Sequence, residues 1–129
     1  MTFERLCLLH SSQIKEALGI SGVISSEYSW KTEGTEEEYG AQIDLLIDRN
    51  DAVINLCEMK FSKTTFRITK GYSSDLQNKL MRFMEVTHTK KAVRITMVTT
   101  EGLVSNSYSD EILSQITSDK LFGYVSAND

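Results

Sequence analysis

Apolar positions recur along this chain with two different periods. From Phe3 to Leu18 they fall three and four apart (Phe3, Leu6, Cys7, His10, Ile14, Ala17, Leu18), which predicts one amphipathic helix over 3–18. Thr2 suits its N-cap and Gly19 its stop. Residues 23–30 (VISSEYSW) are β-branched and aromatic and predict a strand. The polar stretch KTEGTEEEYG reads as a solvated loop. Residues 41–48 (AQIDLLID) and 53–61 (VINLCEMKF) predict two strongly apolar strands, joined in a hairpin through Arg49-Asn50-Asp51-Ala52. Helical spacing returns over 70–88, with Tyr72, Leu76, Leu80, Phe83, Met84 and Thr87 on one face and Thr69 or Ser74 as cap. Residues 92–100 alternate as a strand, 101–110 read as a loop and 111–117 as an edge strand. A helical turn over 119–122 and a frayed tail, GYVSAND, complete the chain.

The predicted order is α-β-β-β-α-β with a possible last strand, and the run from 53 to 100 allows a βαβ crossover. With 129 residues, 40% hydrophobic and 25% charged, the chain suits one globular domain with a real core. It has no proline, where average usage gives about six, which argues against a rigid interdomain linker. No apolar run approaches the ~18 residues of a membrane span, and the N-terminus lacks a secretory pattern. Cys7 and Cys57 sit in apolar surroundings and form no disulfide framework. A cytoplasmic protein with buried thiols is the expectation.

Charge changes the picture. The net charge of −4 conceals segregation: residues 1–58 carry −7, residues 59–94 carry +7 and residues 95–129 carry −4. The basic middle segment calls for a partner or a site.

The chemistry concentrates in IDLLIDRNDAVINLCEMK. Side chains alternate across a strand, so Glu58 and Lys60 share a face. A hairpin centred on Asp51 sets Asp44 directly opposite Glu58, where Cβ atoms lie about 4.5–5.5 Å apart. Two opposed carboxylates in an apolar sheet are unfavourable unless a cation or a shared proton offsets them. Two hard oxygen ligands at that separation suit Mg²⁺ or Mn²⁺, with waters completing the shell. Lys60 beside them is placed to orient an attacking water or to stabilise charge on phosphate. Gln42, two before Asp44, falls beside the site, whereas Asp48 and Asp51 serve the turn. His10 and His88 are too isolated for a zinc site, and Trp30, Tyr28 and Tyr72 read as core.

Asp44 followed by Glu58-Met59-Lys60 resembles the PD-(D/E)XK nuclease superfamily, in which an acid on one strand precedes acid-x-Lys on the next. Ile43 stands where the superfamily usually has proline. The resemblance covers roughly residues 3–122 and implies an α/β, restriction-endonuclease-like core: a mixed central sheet flanked by helices, with 1–129 as a single domain. It implies Asp44 and Glu58 as metal ligands, Lys60 as catalytic lysine, and Mg²⁺ or Mn²⁺ as cofactor. Phe3-Glu4 resembles the helix acid that often completes the metal shell. Lys79, one turn beyond Leu76, resembles a recurrent helix-borne accessory lysine. More narrowly, GAQIDLLIDR, NLCEMKF and YSSDLQNKL look like the C-terminal domain of bacterial AAA-type ATPases of the kind found in Bacteroides-like bacteria. That likeness implies a fragment of a longer ATPase and an ATPase domain as partner. No G-x-x-x-x-G-K-[ST] occurs, so the chain holds no ATP site of its own. Lys63, Lys70, Lys79 and Arg82, which follow the predicted metal site, are candidates to meet a DNA backbone. The functional expectation is metal-dependent hydrolysis of DNA. Its alternative is an inactive module that binds nucleic acid or protein.

Overall fold

The computed structural model describes residues 2–35 and 40–121. The acidic run Glu36-Glu37-Glu38, Phe122 and the tail GYVSAND lie outside the described residues. Five strands form one mixed sheet in the order β1-β2-β3-β4-β5: β1 (Ser25–Thr32), β2 (Ala41–Arg49), β3 (Val53–Lys60), β4 (Ala92–Thr99) and β5 (Ser114–Thr117). β1, β2 and β3 are an antiparallel meander, and β4 and β5 run parallel to β3. The chain is thus an α/β protein with a mixed five-stranded sheet.

Helices cover both faces. α1 (Phe3–Leu9) and α2 (Ser11–Ala17) place Cys7 and Ile14 against Leu45, Ile47, Cys57, Met59, Val98 and Ile116. On the other face α3 (Lys70–Thr87) lays Phe83 on Ile43, Leu46, Ile54 and Leu56, and Leu76 on Ile95 and Met97. The central strands are therefore apolar on both sides, as expected of strands sandwiched between helices. Trp30 of β1 meets Phe83 edge-to-face, with centroids 5.2 Å apart. Among the described residues, no helix is long and apolar enough to cross a membrane.

Several local expectations hold. Thr69 caps α3, accepting from the Tyr72 amide at 3.2 Å, and Thr2 caps α1 in the same way from Arg5. Gly19 takes the left-handed conformation (φ 75°) that ends α2. The hairpin register, Leu45 opposite Cys57 through Asp48 opposite Ile54, is centred on Asp51 as expected.

Other expectations are corrected. The single helix over 3–18 breaks at His10 (φ −119°, ψ 36°), whose amide bonds back to the Cys7 carbonyl. Ser11 and Ser12 follow the break, and serine competes with helical hydrogen bonding in a helix interior. The first strand lies two residues later than read. The last is shorter, because Asn106 and Ser109 exchange hydrogen bonds (2.8 Å each way between backbone amide and side-chain oxygen) and stabilise a turn ahead of it. The described residues 118–121 are helical, so this turn starts one position earlier than expected.

Candidate functional site

The site lies at the C-terminal end of β3, where the strand leaves the sheet toward α3. Cys57 and Met59 bury against the α1 and α2 face, so Glu58 points to the α3 face. There the Lys79 ammonium donates to Glu58 Oε1 at 2.7 Å. α3 offers Leu76 and Phe83 to the sheet at helical spacing, and Lys79 shares that inward side. The pair is largely covered: the Glu58 side chain is 16% exposed and that of Lys79 26%. Burial raises the Glu58 carboxyl above its ordinary value. Lys79 opposes that rise by hydrogen bond and charge, the Asp44 charge adds to it, and Lys60 lowers it.

Asp44 occupies an irregular position in β2. Between the pairs Tyr28–Leu46 and Trp30–Ile43, one residue of β1, Ser29, stands against two of β2, Asp44 and Leu45. That is the residue count of a β-bulge, and bulges re-aim side chains. Its consequence is visible in the core: Ile43 and Leu46, three apart, share one apolar cluster, while Leu45 and Ile47 join the cluster on the opposite face. The β2–β3 ladder ends at Leu45 opposite Cys57, one step before Asp44. Gln42 Nε2 donates to Asp44 Oδ1 at 3.0 Å, so the expected neighbour does touch it.

Lys60 extends past Glu58 into an aromatic corner. Its ammonium lies 5.6 Å from the Phe66 ring centroid and 5.5 Å from that of Tyr72. The two rings meet edge-to-face at 5.1 Å. Such cation–π contacts hold an ammonium in place without neutralising it. The Tyr72 hydroxyl is pushed up to about 12, by burial first and then by the charges of Glu58 and Asp75, so it remains a donor at neutral pH. The sequence pattern carries no signal for this corner. Phe66 lies in an irregular segment, where a single bridge to Leu103 anchors it beneath α3.

The remaining candidates are more scattered. Lys63 and Lys70 are exposed, in the loop after β3 and at the start of α3. The Arg82 guanidinium comes within 3.8 Å of Glu85, an i,i+3 contact on the same helix. Glu4 lies in the first turn of α1, which packs on the opposite face from Lys79. The contact between Phe3 and Phe61, centroids 6.2 Å apart, sets the start of α1 at the same end of the sheet. Among the described residues no three His, Cys, Asp or Glu side chains come together to hold a metal ion, so Glu4 is not gathered with Asp44 and Glu58 into one group. Asp51 serves the turn through Arg49 (2.6 and 2.9 Å), while Asp48 reaches further, to Lys91 at 2.5 Å. Cys7 and Cys57 are free and buried, and burial raises both thiols.

Chemically, the arrangement presents two half-buried carboxylates, a half-buried ion pair and a held ammonium at one end of the sheet. No protein-family model matches the chain, and neither does any curated protein or solved structure.

Proposed function

We propose that the chain is a nuclease-like domain of the PD-(D/E)XK type that hydrolyses phosphodiester bonds of DNA with Mg²⁺ or Mn²⁺. The observation that carries this reading is the covered Glu58 carboxylate with Lys60 and Lys79 beside it and Asp44 near enough to raise its pKa. Asp44 and Glu58 supply hard oxygen donors, which fit either ion. With two protein carboxylates, Mg²⁺ keeps several waters. When bound, such an ion polarises a phosphate oxygen and lowers the pKa of an attached water.

The chain's own groups do the rest. Lys60, held by Phe66 and Tyr72, presents a fixed positive charge where charge develops on phosphate. Lys79 offsets part of the cost of burying the ionised Glu58 carboxylate, which favours its use as a ligand. Asp44, re-aimed by the bulge, takes the position of second ligand. Lys63 and Lys70 are proposed backbone contacts, and an ATPase domain is the proposed partner within a longer protein.

One observation favours a second reading, an inactive nucleic-acid- or protein-binding module. The Lys79 ammonium already neutralises Glu58 without a metal. Calorimetry with Mn²⁺ separates the two. The nuclease reading expects binding in the wild type that disappears in Glu58→Ala and in Asp44→Asn. No binding in the wild type supports the second.

A further inference from the structure

Among the described residues β1 lies at one edge of the sheet, with β2 as its one strand neighbour. The Asn50 amide donates to the Ile24 carbonyl at 2.8 Å, which fixes the direction of the backbone groups that follow. Antiparallel strands direct both backbone groups of every second residue to the same neighbour. Ser26, Tyr28 and Trp30 therefore turn toward β2, and the extra residue of the bulge belongs to β2, so β1 alternates throughout. Ser25, Glu27, Ser29 and Lys31 direct their N–H and C=O groups outward, along an edge that can accept another strand.

The side chains on that edge are self-complementary about Ser29. Glu27 and Lys31 flank it at equal distance with opposite charge. Both are exposed, and neither has a hydrogen bond or ion pair among the described residues. Tyr28 and Trp30 flank it on the other face, Tyr28 being 38% exposed.

We propose that β1 pairs antiparallel with β1 of a second copy of this chain, about a two-fold axis at Ser29, joining two sheets into one. In this register outward backbone groups meet outward backbone groups. Glu27 stands opposite Lys31 of the second copy, twice by symmetry, and Tyr28 stands opposite Trp30 of the second copy, also twice. Opposite charges and aromatic pairs are both favourable cross-strand neighbours. A register centred on Glu27 or on Lys31 sets like charges face to face. One centred on Tyr28 or Trp30 leaves both charges unmatched. Only the Ser29 register satisfies both faces, and an isologous contact of this kind closes at a dimer. A single strand edge is a small interface, so the dimer dissociates on dilution.

Sedimentation velocity across a wide concentration range tests this. The wild type is expected to move toward twice the mass of one chain as concentration rises. Glu27→Lys and Lys31→Glu each place like charges in opposition and weaken association about tenfold. The double variant E27K/K31E restores it. Ser29→Cys is expected to cross-link under oxidation, since hydrogen-bonded pairs hold Cα atoms about 5.5 Å apart, within disulfide range. Cys7 and Cys57 are buried and do not substitute for it. A wild type that stays monomeric at every concentration overturns the proposal. So does a dimer indifferent to either charge reversal, a folded double variant that fails to re-associate, or a dimeric Ser29→Cys that does not cross-link.

Discussion

Glu58 is where burial and charge oppose each other most directly. Its carboxyl is raised chiefly by burial, and the Lys79 ammonium at 2.7 Å only partly offsets that. The folded state therefore holds this proton more tightly than the unfolded chain, whose glutamate titrates near 4.5. The stability this proton contributes is complete below that value and is lost as pH rises through the raised folded value. Chemical denaturation of the wild type and Glu58→Gln over a pH series reads the effect. The advantage of wild type over variant is expected to shrink as pH rises from 4.5. An advantage that grows instead means the carboxyl is stabilised in its ionised form. At this scale the sequence was informative for polar spacing, since Glu58, Lys60 and Lys79 converge as alternation and helical period imply. It was silent on Phe66, because an aromatic residue in an irregular segment has no period to reveal which way it faces.

The hairpin and the bulge show what an element's sequence can and cannot carry. Register follows from turn length, and residues 50–52 form a three-residue loop whose last position, Ala52, has φ 67°. Such loops favour glycine there, and the left-handed region costs an L-residue about 1–2 kcal/mol. Ala52→Gly is expected to raise the free energy of unfolding by about 1 kcal/mol, measured by urea titration. An equal loss would show that the unfolded state's gain in freedom outweighs the relieved strain. The bulge at Asp44 and Leu45 was not legible for a different reason. Ile43, Leu45, Leu46 and Ile47 are all fully or nearly buried, so β2 is apolar on both faces and its pattern leaves parity open. The break at His10 was hidden similarly, since Cys7 and Ile14 keep helical spacing across it and bury together.

Across the whole molecule, the two helical layers separate tasks. The α1 and α2 face is an apolar core, whereas the α3 face combines core packing with the candidate site. Phe83 links these roles. It is fully buried, contacts Trp30 and belongs to the cluster containing Leu46, Leu56 and Ile43. Phe83→Ala is expected to cost about 3–5 kcal/mol by thermal or urea unfolding. A loss below about 1 kcal/mol would mean the layer collapses around the gap. The charge segregation seen in the sequence is only partly concentrated in space: Lys60 and Lys79 converge on Glu58, while Lys91 is taken up by Asp48 and Arg82 approaches Glu85. Asp44, Glu58 and Lys60 are proposed to form a metal-dependent phosphodiesterase site. The most direct measurement is cleavage of supercoiled plasmid DNA with Mg²⁺ or Mn²⁺, run in parallel on wild type, Glu58→Ala and Lys60→Ala. Nicking by the wild type is expected to need the divalent ion and to fall at least about a hundredfold in each variant. A wild type without cleavage, or variants that cleave at the wild-type rate, would contradict it.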